Sequence, residues 1–375
     1  MQIHLAAHLL KLAIVSLLCS LFLACSTLQK QDSKSSKPFE IIAYYDGNGS
    51  DLDQYRFDQL TQVIFSFCHL RGNLLTIDNA EDSLTIRKLV ALKQKHPQLK
   101  VLLSLGGWCG CKTCAQVFAT EAGRHDFAVS TLRLLKDFGA DGLDLDWEYP
   151  GIEGCPGHDW AASGREDFTL LIKELRAIMG KKYELSFAAG GFKSFFDESV
   201  EWQKVMPLLN RINLMSYDLT NGFSTVTGHH TPLYANAKQQ NSLDYAIRYL
   251  DSLQVPRAKI IVGAAFYART WEQVAGTDNG LYQNGKFQHF IPYNQFPKRL
   301  STQNGFVFHR DEQAKAPFAY NPESRQFATF DDPISVAEKT KYAKNAQLGG
   351  IMFWVLGCDT PKDGLLEAIY KASGK

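Results

Sequence analysis

The chain has 375 residues, 45% of them hydrophobic and 21% charged, the balance of an ordinary globular protein with a large core. A formal net charge of +1 argues against a nucleic-acid or other polyanionic partner.

The N-terminus reads as a processing segment. Lys11 precedes the apolar run Leu12 to Leu23, which is short for a bilayer span and of the length of a signal-peptide core. The run ends in Leu21-Phe22-Leu23-Ala24-Cys25-Ser26, which resembles a bacterial lipobox, and Cys25 becomes the lipidated first residue of the mature chain on this reading. A plain secretory signal cut nearby is the alternative. Ser26 beside the cysteine is similar to lipoproteins sent on to the outer membrane, facing the periplasm or the surface. Residues 1–24 are thus a signal peptide and residues 25–38, rich in Ser, Lys and Gln, a flexible tether. Without Cys19 and Cys25, the cysteines Cys68, Cys109, Cys111, Cys114, Cys155 and Cys358 remain, an even set that suggests disulfides in an exported protein. Free thiols and a metal site at Cys109-x-Cys111-x-x-Cys114 stay open, although no second Cys-x-x-Cys unit is present to complete a zinc site. The connectivity is not legible.

From Phe39 onward, short β-rich apolar runs alternate with amphipathic stretches, the pattern of βα repeats. Strands are expected at Glu40–Tyr45, Gln62–Phe67, Lys100–Leu105 and Gly142–Trp147, then at Glu184–Ala189, Arg211–Ser216, Lys259–Phe266 and Gly350–Trp354. Helices are expected at Asp82–Gln94, Arg124–Phe138, Glu166–Met179, Leu243–Leu253, Ser335–Asn345 and Leu365–Ala372. Eight strands in this rhythm favour an α/β fold of (β/α)8 barrel type over a doubly wound sheet. The six cysteines then fall at or just after strand C-termini. Between Arg269 and Asp332 the rhythm breaks for about sixty residues, a length that marks a functional loop or a subdomain.

The most informative stretch is Asp141-Gly142-Leu143-Asp144-Leu145-Asp146-Trp147-Glu148-Tyr149-Pro150. As a strand it puts Asp144, Asp146 and Glu148 on one face and Leu143, Leu145 and Trp147 on the other. Such an apolar second face is covered by helices. Three crowded carboxylates cost stability unless they pair, share protons or do chemistry; a solvated acidic face is the bland alternative. This segment resembles the signature of glycoside hydrolase family 18, the chitinases and their relatives, where it ends the fourth strand of a (β/α)8 barrel.

The resemblance implies a mechanism and a site. Glu148 protonates the glycosidic oxygen while the 2-acetamido carbonyl of the substrate attacks the anomeric carbon, a substrate-assisted retaining route. Asp146 orients the acetamido group and Asp144 tunes Asp146 from beneath. Ser104-Leu105-Gly106-Gly107-Trp108 is similar to the Ser-x-Gly-Gly motif of the third strand, with Gly107 and Trp108 at the cleft. Met215-Ser216-Tyr217-Asp218 is similar to the sixth-strand motif, in which Tyr217 binds the acetamido oxygen, Asp218 supports the site and Met215 lines it. Tyr267 and Arg269 after the seventh strand, Tyr149, and the strand-end aromatics Tyr44 and Phe67 complete the pocket, over a floor made by Trp354. Taken alone, Tyr44 and Phe67 fit a core position as well as a pocket. The segment of about residues 270–332 corresponds to the small α+β insertion that deepens the cleft in part of the family. The cysteine cluster beside Trp108 departs from the family pattern, and cysteines so placed brace the active-site face. His229-His230 reads as cleft wall rather than a metal site, and nothing in the sequence decides whether Arg71, Trp160 or Trp271 touches substrate.

The expectation is a monomeric, exported enzyme that cuts β-1,4 bonds of chitin or chitooligosaccharides, without cofactor or metal, and meets the membrane through a lipid anchor only. An aromatic content of 12% suits stacking on sugar faces, and no separate carbohydrate-binding module is expected after the last helix. An endo-β-N-acetylglucosaminidase acting on N-glycans or other amino-sugar polymers would use the same residues. A non-catalytic chitin-binding lectin is disfavoured by the presence of Glu148, and a phosphate-binding barrel by the lack of a glycine-rich loop after the last strands.

Overall fold

The computed structural model describes residues 38–375. The signal segment, nearly all of the tether and the lipidation candidate Cys25 lie outside the described residues.

The strands, in chain order, are β1 (Glu40–Tyr45), β2 (Gln62–Arg71), β3 (Leu74–Thr76), β4 (Lys100–Gly106), β5 (Gly142–Asp146), β6 (Glu184–Gly190) and β7 (Arg211–Met215). They continue as β8 (Ile260–Ala265), β9 (Tyr267–Glu272), β10 (Lys286–Pro292), β11 (Val307–Asp311), β12 (Ala316–Asn321), β13 (Gln326–Thr329) and β14 (Gly350–Trp354). All strands of the sequence β1-β14-β8-β7-β6-β5-β4-β2 are parallel to their neighbours, and β1 pairs with β2 to close the barrel. β1 and β14 fall where the sequence places them. β2 runs past Phe67 to Arg71 and folds back onto β3 as a hairpin. β5 stops at Asp146, so Trp147 and Glu148 already belong to the loop above it.

Helices at Ala80–Ala91, Glu121–Phe138, Gly164–Met179, Leu243–Ser252, Pro333–Asn345 and Leu365–Ala372 alternate with the barrel strands. Local chemistry sets their ends. Thr120 caps Glu121–Phe138 by accepting from Gly123 N, and Gly139 closes it in the left-handed conformation. Asp332 and Ser335 form a capping box at Pro333–Asn345. Short helices at Cys114–Phe118, Lys193–Glu198, Trp202–Val205 and Phe296–Arg299 carry no periodic apolar pattern long enough to announce them. Leu143, Leu145 and Trp147 turn to the helices as the alternation requires, and Trp147 packs against Phe118 and Phe168.

Between β8 and β14 the chain builds a second, antiparallel sheet in the order β10-β9-β13-β12-β11. Only Phe266 separates β8 from β9, so the barrel feeds this sheet directly. Its strands alternate. Ala268, Ala319 and Ala328 face one small core with Ile291 and Phe296, and Trp271, Phe318, Tyr320 and Phe327 face another. Trp271 is fully buried there, which removes it from the residues able to touch a substrate.

Candidate active site

β5 delivers the acids. Asp144 is fully buried inside the barrel, and the parallel register sets Ser104 of β4 and Ser186 of β6 directly beside it. Ser186 Oγ donates to Asp144 Oδ1 at 2.6 Å, and Ser104 Oγ reaches Oδ2 at 3.3 Å. Tyr44 Oη donates to Oδ2 at 2.9 Å, and Asn213 Nδ2 to Oδ1 at 2.9 Å. Burial lifts the Asp144 carboxyl above the ordinary range while all four donors pull it back.

Asp146, one inward step higher, is buried as well, but its Oδ1 has no hydrogen-bond partner. Burial and the neighbouring Glu148 and Asp144 charges lift its carboxyl far above the usual range. Glu148 stands half-buried above it. Burial first, and then the charge of Asp218, push it up to about 7 against a contact with Tyr149 that pulls down. The acidic column therefore retains a proton near neutral pH, the property a general acid requires.

Aromatic rings surround the column. Trp354, at the end of β14, stacks on Phe67 with centroids 5.6 Å apart and tilts against Tyr44 at 5.7 Å. The peptide bonds Ser66–Phe67, Glu148–Tyr149 and Trp354–Val355 are cis. Two glycines are required here. A Cβ on Gly106 would lie 2.2 Å from the Asp146 carbonyl oxygen, and one on Gly107 would lie 2.4 Å from the Phe67 ring; both residues have positive φ. They let β4 turn away and lift Trp108, which is about half exposed, toward Tyr149 at 6.5 Å and Phe223 at 6.1 Å. Tyr149 itself leans on Phe192 and Phe195.

The opposite wall comes from β7 and β9. Tyr217 is buried, with its ring 6.4 Å from that of Tyr267 and the charges of Asp146, Asp218 and Glu148 acting on its hydroxyl. Arg269 grips Asp218 with two bonds, Nε to Oδ1 at 2.7 Å and Nη2 to Oδ2 at 2.5 Å. Burial works to raise the Asp218 carboxyl, but the His230 ring and the Arg269 guanidinium outweigh it and hold the group well below the usual range. Met215 is half-buried at the end of β7. His229 and His230 are both buried, which corrects their reading as cleft wall: His229 Nε2 meets Asp311 Oδ2 at 3.0 Å, and His230 Nδ1 lies 3.4 Å from Asp218 Oδ1. They are packed between the barrel and the second sheet.

The cysteines divide. Cys109–Cys155 joins the loop after β4 to the loop after β5, and Cys111–Cys114 closes a small ring beside it. These four sulfurs are thus engaged in covalent bonds, and a thiolate metal site at Cys109-x-Cys111-x-x-Cys114 is not what they form. Cys68 and Cys358 are buried and unbonded, against the expectation of full pairing. The reason is placement: Cys68 sits on β2 and Cys358 follows β14, with β1 between them, and two strand spacings exceed the reach of a disulfide.

The expected residues of the acid segment and pocket thus converge at the C-terminal end of the barrel, except that Tyr44 is buried and serves the site through its bond to Asp144 rather than by touching a sugar. Sequence reasoning missed Ser186, Asn213 and Phe223, and it took His230 for cleft wall rather than the partner of Asp218. The first two carry no local signal, since their meeting with Asp144 depends on register between distant strands. Phe223, five residues beyond Asp218, is a polar-loop aromatic that the pocket argument had reason to include.

The family model for glycosyl hydrolases family 18 matches residues 40–359. The chain belongs to that family. It is 32% identical to chitinase A1 of Niallia circulans over 74% of this chain, and it spans 43% of that protein's length. It is also 32% identical to chitotriosidase-1 of Mus musculus, over 80% of this chain and 67% of that one. Among solved structures, a family 18 N-acetylglucosaminidase from Paenibacillus barengoltzii superposes with a TM-score of 0.81 at 32% identity, covering 89% of this chain and 99% of the other. The chain is accordingly a chitinase-like family 18 protein on a (β/α)8 barrel.

Proposed function

We propose that the protein hydrolyses β-1,4 bonds between N-acetylglucosamine units of chitin or chitooligosaccharides with retention of configuration. The observation that carries this reading is the column Asp144, Asp146 and Glu148, in which burial and the charge of Asp218 keep a proton on the outermost acid near pH 7. Glu148 protonates the glycosidic oxygen, and the C1–O bond breaks as the substrate's acetamido oxygen closes on C1. The resulting oxazolinium ion is opened by water, whose proton returns to Glu148. Asp146, with its unpartnered buried oxygen, accepts the acetamido N–H and stabilises the positive charge. Tyr217 donates to the acetamido oxygen, and Asp218, locked by Arg269, fixes that wall. Trp354 is the floor under the reacting sugar, and Trp108 stacks on the sugar that leaves.

The similarity to the N-acetylglucosaminidase from Paenibacillus barengoltzii favours a second reading, in which the same residues act on other amino-sugar chains. A substrate panel decides between them. Purified protein lacking residues 1–38 is incubated with chitotetraose, chitohexaose and an N-glycan, and products are sized by mass. Chitooligosaccharide cleavage supports the first reading; cleavage of the glycan core alone transfers the assignment to the second. For placement, we propose export and lipid attachment at Cys25; among the described residues no helix is long and apolar enough to cross a membrane. Substitution of Cys25 by Ala should release the protein from the membrane fraction, and continued sedimentation with membranes would refute the anchor.

A further inference from the structure

Asp144 is the member of the acidic column that meets no solvent, and its surroundings have a direction. Asn213 Nδ2 donates to Asp144 Oδ1 at 2.9 Å and lies 3.1 Å from Tyr44 Oη. An amide that gives its second hydrogen to Tyr44 commits the tyrosine's own hydrogen to Asp144 Oδ2, where it is found at 2.9 Å. The reverse amide orientation would set oxygen against carboxylate oxygen. Ser186 and Ser104 supply the remaining donors, at 2.6 and 3.3 Å. Four donors match the four lone-pair sites of an ionised carboxylate and leave no acceptor for a proton of its own.

We propose that Asn213 and Ser186 are positioning residues that keep Asp144 ionised, so that the proton held by the column resides on Asp146 and Glu148. The arrangement follows from register: Ser186 is the direct neighbour of Asp144 on β6, and Asn213 is paired with Ala188, one inward step above Ser186. Other ionisable groups face the column from every side: Tyr44 from β1, Tyr149 above β5, Tyr217, Asp218 and His230 after β7, and Tyr267 and Arg269 from β9. Among these cations, Arg269 is engaged with Asp218. Asp144 therefore keeps its charge by hydrogen bonds rather than by a counter-ion. That anion beneath Asp146 is what favours a cationic intermediate above it.

The inference rests on the proposed retaining mechanism, and the test separates the two. The acid limb of the pH profile of kcat/KM on chitotetraose is measured for the wild type, Ser186→Ala, Asn213→Ala and Ser186→Thr. Loss of a donor weakens the Asp144 anion, so the limb in both alanine variants moves to higher pH by about one unit, with KM little changed. Ser186→Thr keeps a hydroxyl and returns the limb toward the wild-type position. Activity lowered equally at all pH values, with the limb unmoved, would show a packing role only and overturn the inference. If the wild type cleaves no amino sugar, the mechanism is wrong but the cage remains testable by melting temperature against pH. A folded-state carboxyl raised further in the variants loses stability over an interval extending about one unit above that of the wild type; an identical interval contradicts the cage.

Discussion

The two ends of the barrel bury charge in opposite ways. At the N-terminal end of the strands, Arg211 of β7 is almost wholly buried, and it meets Glu184 of β6 at 2.6 Å and Glu40 of β1 at 3.1 Å. The same guanidinium also donates to Gln62 of β2, and Lys100 of β4 pairs with Glu184. Every carboxylate in that layer sits against a cation. At the C-terminal end three carboxylates are stacked along β5 and the loop above it, and the nearby guanidinium of Arg269 is already bound to Asp218. The first arrangement ties five strands together. The second holds like charges close, raises their proton affinity, and is tolerated because the rest of the barrel supplies the stability.

Exchanging the acid at the uncompensated end breaks the comparison most severely. Glu148→Gln should lower kcat by about 10²- to 10⁴-fold while oligosaccharide binding persists, as read by steady-state kinetics beside calorimetry. The compensated end should behave inversely. Arg211→Leu takes the buried cation away from half-buried Glu184 and Glu40 and should cost about 3 kcal/mol in urea unfolding, with kcat per folded molecule nearly unchanged. A large loss of kcat with little loss of stability would mean that the two ends are not separable.

The smallest effect sharpens the sign. Glu148 has its folded-state pKa raised to about 7 from an ordinary 4.5. Its favourable contribution is complete below about pH 4.5 and is lost as pH rises through 7. Glu148→Gln should therefore be more stable than the wild type at pH 8, by about 2–3 kcal/mol, and the difference should vanish near pH 4. A variant that is less stable at pH 8 would deny that the column is strained by charge.

Much of this fold is legible in the sequence, and the pattern of what is not is physical. β1 and β14 are apolar runs bounded by polar residues and fell at their expected ends. Asp144, Asp146 and Glu148 declared themselves by alternation alone, although β5 ends before Glu148. The helices Lys193–Glu198 and Trp202–Val205 are too short to show a period. Trp271 looked like a candidate for contact with substrate because its strand was not recognised; inside an antiparallel sheet with a core of its own it is interior. The Asp144 cage joins residues 42, 69 and 100 positions apart, so it exists only once the barrel closes. Cysteine parity misled for Cys68 and Cys358 because an even count carries no information about which strand lies between two thiols.

The most direct measurement is the anomeric configuration of the first product. Chitotetraose is added to the wild-type protein and to Glu148→Gln, and the α and β reducing-end signals are followed by proton NMR before mutarotation equilibrates them. Excess β-anomer at early times from the wild type, and no product from the variant, is the result expected for an oxazolinium intermediate with Glu148 as the acid. An initial α-anomer, or undiminished turnover by Glu148→Gln, would contradict the account at its centre.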